Sequence, residues 1–180
     1  MLLIIDNGSV YTKTLIDFLT EKNILFKIET PEMLDLKSLD NYNSFILSGR
    51  RKNEKITNQI NSKIINHTIQ NNKKLLGICY GAEMLALTLG GTIRKLAISQ
   101  KGMQKININK ENPLVTNDIE AFESHGFEIS KLPQILHVIG SSKNCKIEII
   151  QYENKPIFGT QFHPEMSNDG QNLIQKFCSL

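Results

Sequence analysis

Cys79 stands in Gly77-Ile78-Cys79-Tyr80-Gly81, and the residue types around it make it a candidate nucleophile. The apolar pair Leu75-Leu76 precedes it and Met84-Leu85-Ala86-Leu87 follows, an order that predicts a buried strand, a tight turn and a helix. In such an elbow the turn holds the side chain up at the strand's carboxyl end, and glycines allow strand and helix to approach closely. A thiol at a helix amino terminus feels the positive end of the helix dipole, which favours the nucleophilic thiolate. A core cysteine beside a glycine turn would give the same pentapeptide. The second group is Gln161-Phe162-His163-Pro164-Glu165. In an extended segment residues two apart point the same way, so His163 and Glu165 are expected to project together, with Pro164 excluding a helix. A histidine that takes the thiol proton and a carboxylate that orients its ring complete a nucleophile–base–orienter set. Taken singly, His163 could be a surface residue at a proline turn and Glu165 a solvated carboxylate. Together with the elbow, those readings weaken.

The elements that must bring these groups together alternate as a parallel α/β architecture requires. Strands are predicted at Leu2–Asp6, Leu25–Glu29, Ser44–Leu47 and Lys74–Ile78, and helices at Tyr11–Lys22, Lys55–Asn71 and Ala82–Leu89. Within Lys55–Asn71 isoleucine recurs at 56, 60, 64, 65 and 69, close to helical periodicity. After Gly91 the pattern turns to short strands: Thr92–Lys95, Gln104–Asn109, Ile119–Glu123, Ile135–Ser141, Lys146–Tyr152 and Ile157–Gln161. These read as antiparallel excursions of the main sheet, closed by a helix at Asp169–Ser179. No repeat, low-complexity stretch or linker divides residues 1–180, which read as one domain.

Composition excludes several classes. The chain has 180 residues, 40% hydrophobic and 22% charged, ordinary values for a globular protein with a sizeable core. Its net charge of +3 is dispersed, and Arg50-Arg51-Lys52 is too short a basic run to argue for nucleic acid. No apolar run approaches the roughly 18 residues that span a bilayer, and the amino terminus lacks a signal-peptide layout. Cys79, Cys145 and Cys178 have neither metal-ligand spacing nor an even count. A reducing cytoplasm is the expected setting, with no metal and no cofactor.

Ser48-Gly49, the elbow and Gln161-Phe162-His163-Pro164-Glu165 resemble, in order and spacing, the class I (triad-type) glutamine amidotransferases. The resemblance covers essentially the whole chain. It implies a single-domain, flavodoxin-like α/β fold with a mostly parallel central sheet and added antiparallel strands. It also implies attack by Cys79 on the carboxamide of glutamine, release of ammonia, and hydrolysis of a glutamyl thioester, with His163 as base and acid and Glu165 as orienter. Glu123-Ser124-His125-Gly126, Lys131-Leu132-Pro133 and Cys145-Lys146-Ile147-Glu148 are similar to the amidotransferase subunits of GMP synthases. That likeness would turn His125 towards a synthetase partner; a polar loop residue is the plain alternative. Cys145 reads as buried filler in a short strand.

The chain departs from the family at two points. The oxyanion loop usually reads Ser-x-Gly-Pro, and here it is Ser48-Gly49-Arg50-Arg51, with arginine where a glycine N–H would donate. Any residue but proline supplies a backbone N–H, although a positive φ at Arg50 would cost about 1 to 2 kcal/mol. The second donor is expected from the N–H of Tyr80. Arg50 and Arg51 read as a solvated pair, or as contacts to a partner or to the glutamine carboxylate. Glu83 stands where the family's Gln holds substrate; it would repel a carboxylate, attract an ammonium, or simply be a helix-surface residue. Ser99-Gln100-Lys101-Gly102-Met103 resembles the loop that cradles the amino-acid end of glutamine, which assigns Gly102 and Met103 to substrate, against an ordinary turn.

The chain contains no Ser-Gly-Gly-x-Asp-Ser nucleotide loop, so ATP use and the acceptor are expected on a separate ATP-dependent synthetase. The alternatives are the glutamine subunit of anthranilate or aminodeoxychorismate synthase, a non-catalytic regulatory descendant of the fold, and a small cysteine hydrolase of related fold.

Overall fold

The computed structural model of the chain describes residues 1–50, 54–153 and 155–180. Five strands form the parallel part of the sheet: β1 (Leu2–Ile5), β2 (Phe26–Glu29), β3 (Ser44–Leu47), β4 (Lys74–Ile78) and β9 (Ile157–Thr160). Four more extend it antiparallel: β5 (Thr92–Ile108), β6 (Ile119–Lys131), β7 (Leu136–Ser141) and β8 (Ile149–Tyr152). The order across the nine-stranded sheet is β2-β1-β3-β4-β9-β8-β7-β5-β6. Helices α1 (Thr12–Glu21), α2 (Lys55–Gln70), α3 (Tyr80–Thr88) and α4 (Asn168–Ser179) cover the parallel part.

Strand periodicity decides which helix each face meets. Leu2 and Ile4 of β1 join a cluster with Leu15, Phe18 and Leu19 of α1 and Leu173, Ile174 and Phe177 of α4. Leu3 and Ile5 point the other way, into a cluster with Ile60, Ile64 and Ile65 of α2 and Met84 and Leu85 of α3. Burial on both faces is why β1, β3 and β4 read as unbroken apolar runs. Edge strand β2 is half exposed and carries the Lys27–Glu29 ion pair at 2.7 Å, a guard against edge pairing.

Three expectations change. The predicted strands at Thr92–Lys95 and Gln104–Asn109 are parts of one strand, β5, and β6 runs on past Glu123 to Lys131. Gln100, Lys101, Gly102 and Met103 are therefore ladder residues, opposite His125, Ser124, Glu123 and Phe122, and not a loop. The irregularity lies between Lys95 and Gln100, where the register shifts, and Gly102 has φ +118. His163 is extended, but the chain does not stay so: Pro164–Met166 forms one 3-10 turn with Pro164 at its start, where a proline's missing N–H costs nothing. Cys145 lies in the turn before β8 and not in a strand.

Candidate active site

Parallel α/β sheets place their sites beyond the carboxyl ends of the strands, and here three neighbouring strands converge. Gly49 follows β3, Cys79 directly follows β4, and His163 follows β9. Cys79 has φ 51 and ψ −102, a strained conformation for a non-glycine residue. Contacts around it fix that conformation. Its N–H donates to Thr160 O at 2.7 Å across the β4–β9 ladder, and its carbonyl accepts from Glu83 N at 3.0 Å, starting α3. A Cβ on Gly77 would fall 2.5 Å from the carbonyl carbon of Gly81, so the elbow closes only with glycine there.

His163 is fixed from three sides. Its N–H donates to Phe122 O at 2.8 Å, its ring meets Tyr11 edge-on with centroids 4.6 Å apart, and Nδ1 lies 2.9 Å from Glu165 Oε1. With Nδ1–H donated to the carboxylate, Nε2 is left to accept a proton. Both side chains are buried. Gly49 closes the opposite side of the imidazole: a Cβ there would come 2.9 Å from His163 Cε1. The pairing of His163 with Glu165 thus stands as expected, reached through a 3-10 turn.

The thiolate expected from the helix start is opposed. Burial pushes the Cys79 thiol well above its ordinary range, the carboxylates of Glu83, Glu165 and Glu123 push further, and the Tyr80 N–H counters only in part. A thiol held in that setting would have to hand its proton to a base in order to act as a nucleophile.

Glu83 is not a helix-surface residue. It is 4% exposed, and Gln161 Nε2 donates to its Oε1 at 3.4 Å. Burial leaves its carboxyl raised, with Gln161, Arg50 and His125 offsetting only part of that. Arg50 is likewise not a solvated residue: it is half-buried, its guanidinium lies 4.1 Å from the centre of the Tyr80 ring, and its φ is not positive, so the strain considered for this position does not arise. Arg51 lies outside the described residues. Gly102 and Met103 sit one strand away from His163, separated from it by Phe122, and Met103 is 50% exposed.

His125 does not face outward. Its side chain is 1% exposed, Nε2 lies 2.7 Å from Glu123 Oε2, and Nδ1–H donates to Phe127 O at 2.7 Å. Burial lowers its imidazole, but Glu123 and the Phe127 carbonyl outweigh that and leave it raised. Beside this pair Glu148 is buried, and burial together with Glu123 raises its carboxyl strongly. Glu148 therefore holds a proton in the fold that the unfolded chain releases above the ordinary carboxylate range. Stability is lost as pH rises through that window. Glu148→Gln, which cannot ionise, is expected to gain on the parent by about 1 to 3 kcal/mol between pH 5 and 8 in denaturant unfolding. Equal pH dependence of the two proteins would refute this.

Sequence reasoning missed Tyr11, Asn58 and Asn61. Tyr11 Oη donates to Ser124 Oγ at 3.0 Å while its ring supports His163. Asn61 Nδ2 donates to Asn7 Oδ1 at 2.7 Å, and Asn7 N donates to Ser48 Oγ at 2.9 Å, which anchors the loop that carries Gly49. Only the helical position of the two asparagines was visible, and it carries no signal for these contacts. Among the described residues no helix is long and apolar enough to cross a membrane.

A cysteine elbow, a carboxylate-bound histidine and a loop closing on its ring stand at the carboxyl ends of adjacent parallel strands, an arrangement that suits cysteine-dependent acyl transfer on an α/β fold. The family model for glutamine amidotransferase class-I matches residues 3–179, and the chain belongs to that family. It is 31% identical over 189 residues to a subunit of the glutamine-hydrolyzing GMP synthase of Methanocaldococcus jannaschii, covering 100% of this chain and 97% of that one. The crystal structure of a Thermoplasma acidophilum protein, provisionally assigned as a subunit of GMP synthase, superposes with TM-score 0.87 at 26% identity. That superposition covers 99% of this chain and 92% of the other. The glutamine-hydrolyzing GMP synthase of Ruthia magnifica is 28% identical over 189 residues. There the match covers 99% of this chain but 36% of the relative.

Proposed function

We propose that the chain is the glutamine-hydrolysing subunit of a two-subunit GMP synthase. Cys79 Sγ attacks the side-chain carbonyl carbon of glutamine while its proton passes to His163 Nε2. The developing oxyanion is held by the backbone N–H groups of Tyr80 and of the Gly49-Arg50 loop. The imidazolium then gives the proton to the leaving nitrogen, ammonia departs, and a glutamyl thioester remains on Cys79. Water attacks that thioester with His163 as base, releasing glutamate and restoring the thiol. Glu165 holds the imidazole in the needed tautomer throughout. Glu83, buried near Cys79, bounds the amino-acid end of the substrate.

The observation that carries this reading is the buried His163–Glu165 pair at 2.9 Å, just beyond the strand that pairs with β4 below the Cys79 elbow. The acceptor is inferred from the relatives. The homologue of matching length is named as one subunit of a GMP synthase, and the longer one is named as the whole enzyme. The extra length of the latter is where an ATP-using synthetase would lie. Ammonia made here would pass to a separate synthetase, which aminates XMP. The test mixes the chain with glutamine, ATP and XMP, with and without a GMP synthetase partner, and measures glutamate and GMP. Both products are expected with the partner present, in equal amounts. Glutamate without GMP would remove the acceptor from the reading, and no glutamate in any mixture would remove the reaction.

A further inference from the structure

Arg50 joins three elements at one point. Its guanidinium carbon lies 4.1 Å from the centroid of the Tyr80 ring, and Nη1 donates to Asn58 Oδ1 at 3.1 Å. Tyr80 Oη donates to the same oxygen at 2.7 Å. The loop after β3, the first residue of α3 and the start of α2 are thereby tied together. A guanidinium suits this place because it is flat: it stacks on an aromatic face and still directs its N–H groups sideways to an acceptor. Tyr80 keeps its part in the contact over a wide pH range, since burial pushes its hydroxyl up to about 12, with Arg50 opposing.

Arg50 is the last residue of Ser48-Gly49-Arg50, and Tyr80 directly follows Cys79. Under the proposed mechanism, the backbone N–H groups facing the oxyanion come from these same two segments. We infer that Arg50 is a positioning residue: its stack on Tyr80, braced by Asn58, sets the separation of the two oxyanion donors. The loop on one side of the oxyanion and the helix start on the other lie beyond the last β3–β4 ladder pair, Leu47 with Gly77. A side-chain clamp between them therefore does what the sheet cannot. The loop is also anchored from behind, where Asn7 Nδ2 donates to Ser48 O at 3.0 Å, so the clamp acts on a loop with little freedom left. The inference rests on the glutaminase reading for its kinetic consequence, but the clamp itself is observable without turnover.

The test uses the full chain with its synthetase partner and the variants Arg50→Gly, Arg50→Lys and Tyr80→Phe. Displacing an oxyanion donor costs less than deleting one, so kcat for glutamate release is expected to fall about tenfold or more in Arg50→Gly, with KM within about twofold of the parent. Arg50→Lys should not restore kcat, because an ammonium cannot stack and fork at once. Tyr80→Phe keeps the ring but loses the bond to Asn58, and an intermediate loss is expected. Amide hydrogen exchange read by mass spectrometry supplies the measurement that needs no catalysis. Peptides spanning 44–50 and 79–85 should exchange faster in Arg50→Gly, while peptides elsewhere keep the parent's rates. An unchanged kcat, a raised KM at constant kcat, or unchanged exchange in both peptides would each overturn the inference. If the parent released no glutamate in any mixture, the functional reading would fall, and exchange would still decide the clamp.

Discussion

Cys79→Ser is expected to abolish glutamate release, by about 10⁴-fold or more, while leaving the fold intact. A serine hydroxyl is close to the thiol in size, so the φ 51 elbow and the Cys79 N–H bond to Thr160 O need not change. What changes is the nucleophile. Burial and three carboxylates already hold the thiol above its usual range, so under the proposed mechanism attack depends on proton transfer to His163 at that moment. An alcohol in that setting is far harder to deprotonate. Steady-state glutamate assays with the synthetase present check this, alongside thermal unfolding. Activity above about one per cent of the parent would show that Cys79 is not the nucleophile. A large fall in unfolding temperature would instead show that the sulfur is part of the packing.

How far this site could be read from the residues follows from the range of each contact. The first half of the sheet was legible because Leu2-Leu3-Ile4-Ile5 and Lys74–Ile78 are buried on both faces, and such strands announce themselves as continuous apolar runs. Strand β5 was not, because its middle, Ser99-Gln100-Lys101-Gly102, is polar and holds a glycine, on a long hairpin that packs little on either face. Its pairing is set by β6, and only the partner strand makes those residues extended. Cys79, His163 and Glu165 stood out as candidates from their types, their spacing and the family resemblance. The geometry between His163 and Glu165 was not, since proline permits an extended segment and a 3-10 start equally. His125 was misread for a related reason: a polar residue between serine and glycine reads as loop, and its burial depends on Glu123, two residues away on the same face of β6. Arg50 over Tyr80 joins residues far apart in the chain through side-chain ends. No periodicity in the sequence encodes such a contact.

Gly49→Ala is expected to lower kcat by about a hundredfold with little change in stability, because the only serious obstacle to a methyl group there is the proposed base itself. Gly49 is buried without a positive φ, so alanine meets no backbone strain. Its Cβ would fall 2.9 Å from His163 Cε1 and 3.3 Å from Ser9 Oγ, and Ser9 can turn away. The imidazole has less freedom. Glu165 holds Nδ1 at 2.9 Å, Tyr11 lies edge-on to the ring, and the His163 N–H is bound to Phe122 O. A shift of a few tenths of an ångström is therefore taken up either by turning the ring away from the sulfur or by moving the Gly49-Arg50 loop back from the oxyanion. Both damage the transition state more than substrate binding, so KM should stay within about threefold. The comparison with Gly77→Ala separates this from a general packing effect. There the new Cβ would lie 2.5 Å from backbone atoms of Gly81 that cannot yield, and loss of the fold is the expected result. If Gly49→Ala kept full kcat, the ring would have room that the structure does not show. If it unfolded as Gly77→Ala does, Gly49 would belong to the scaffold and not to the base.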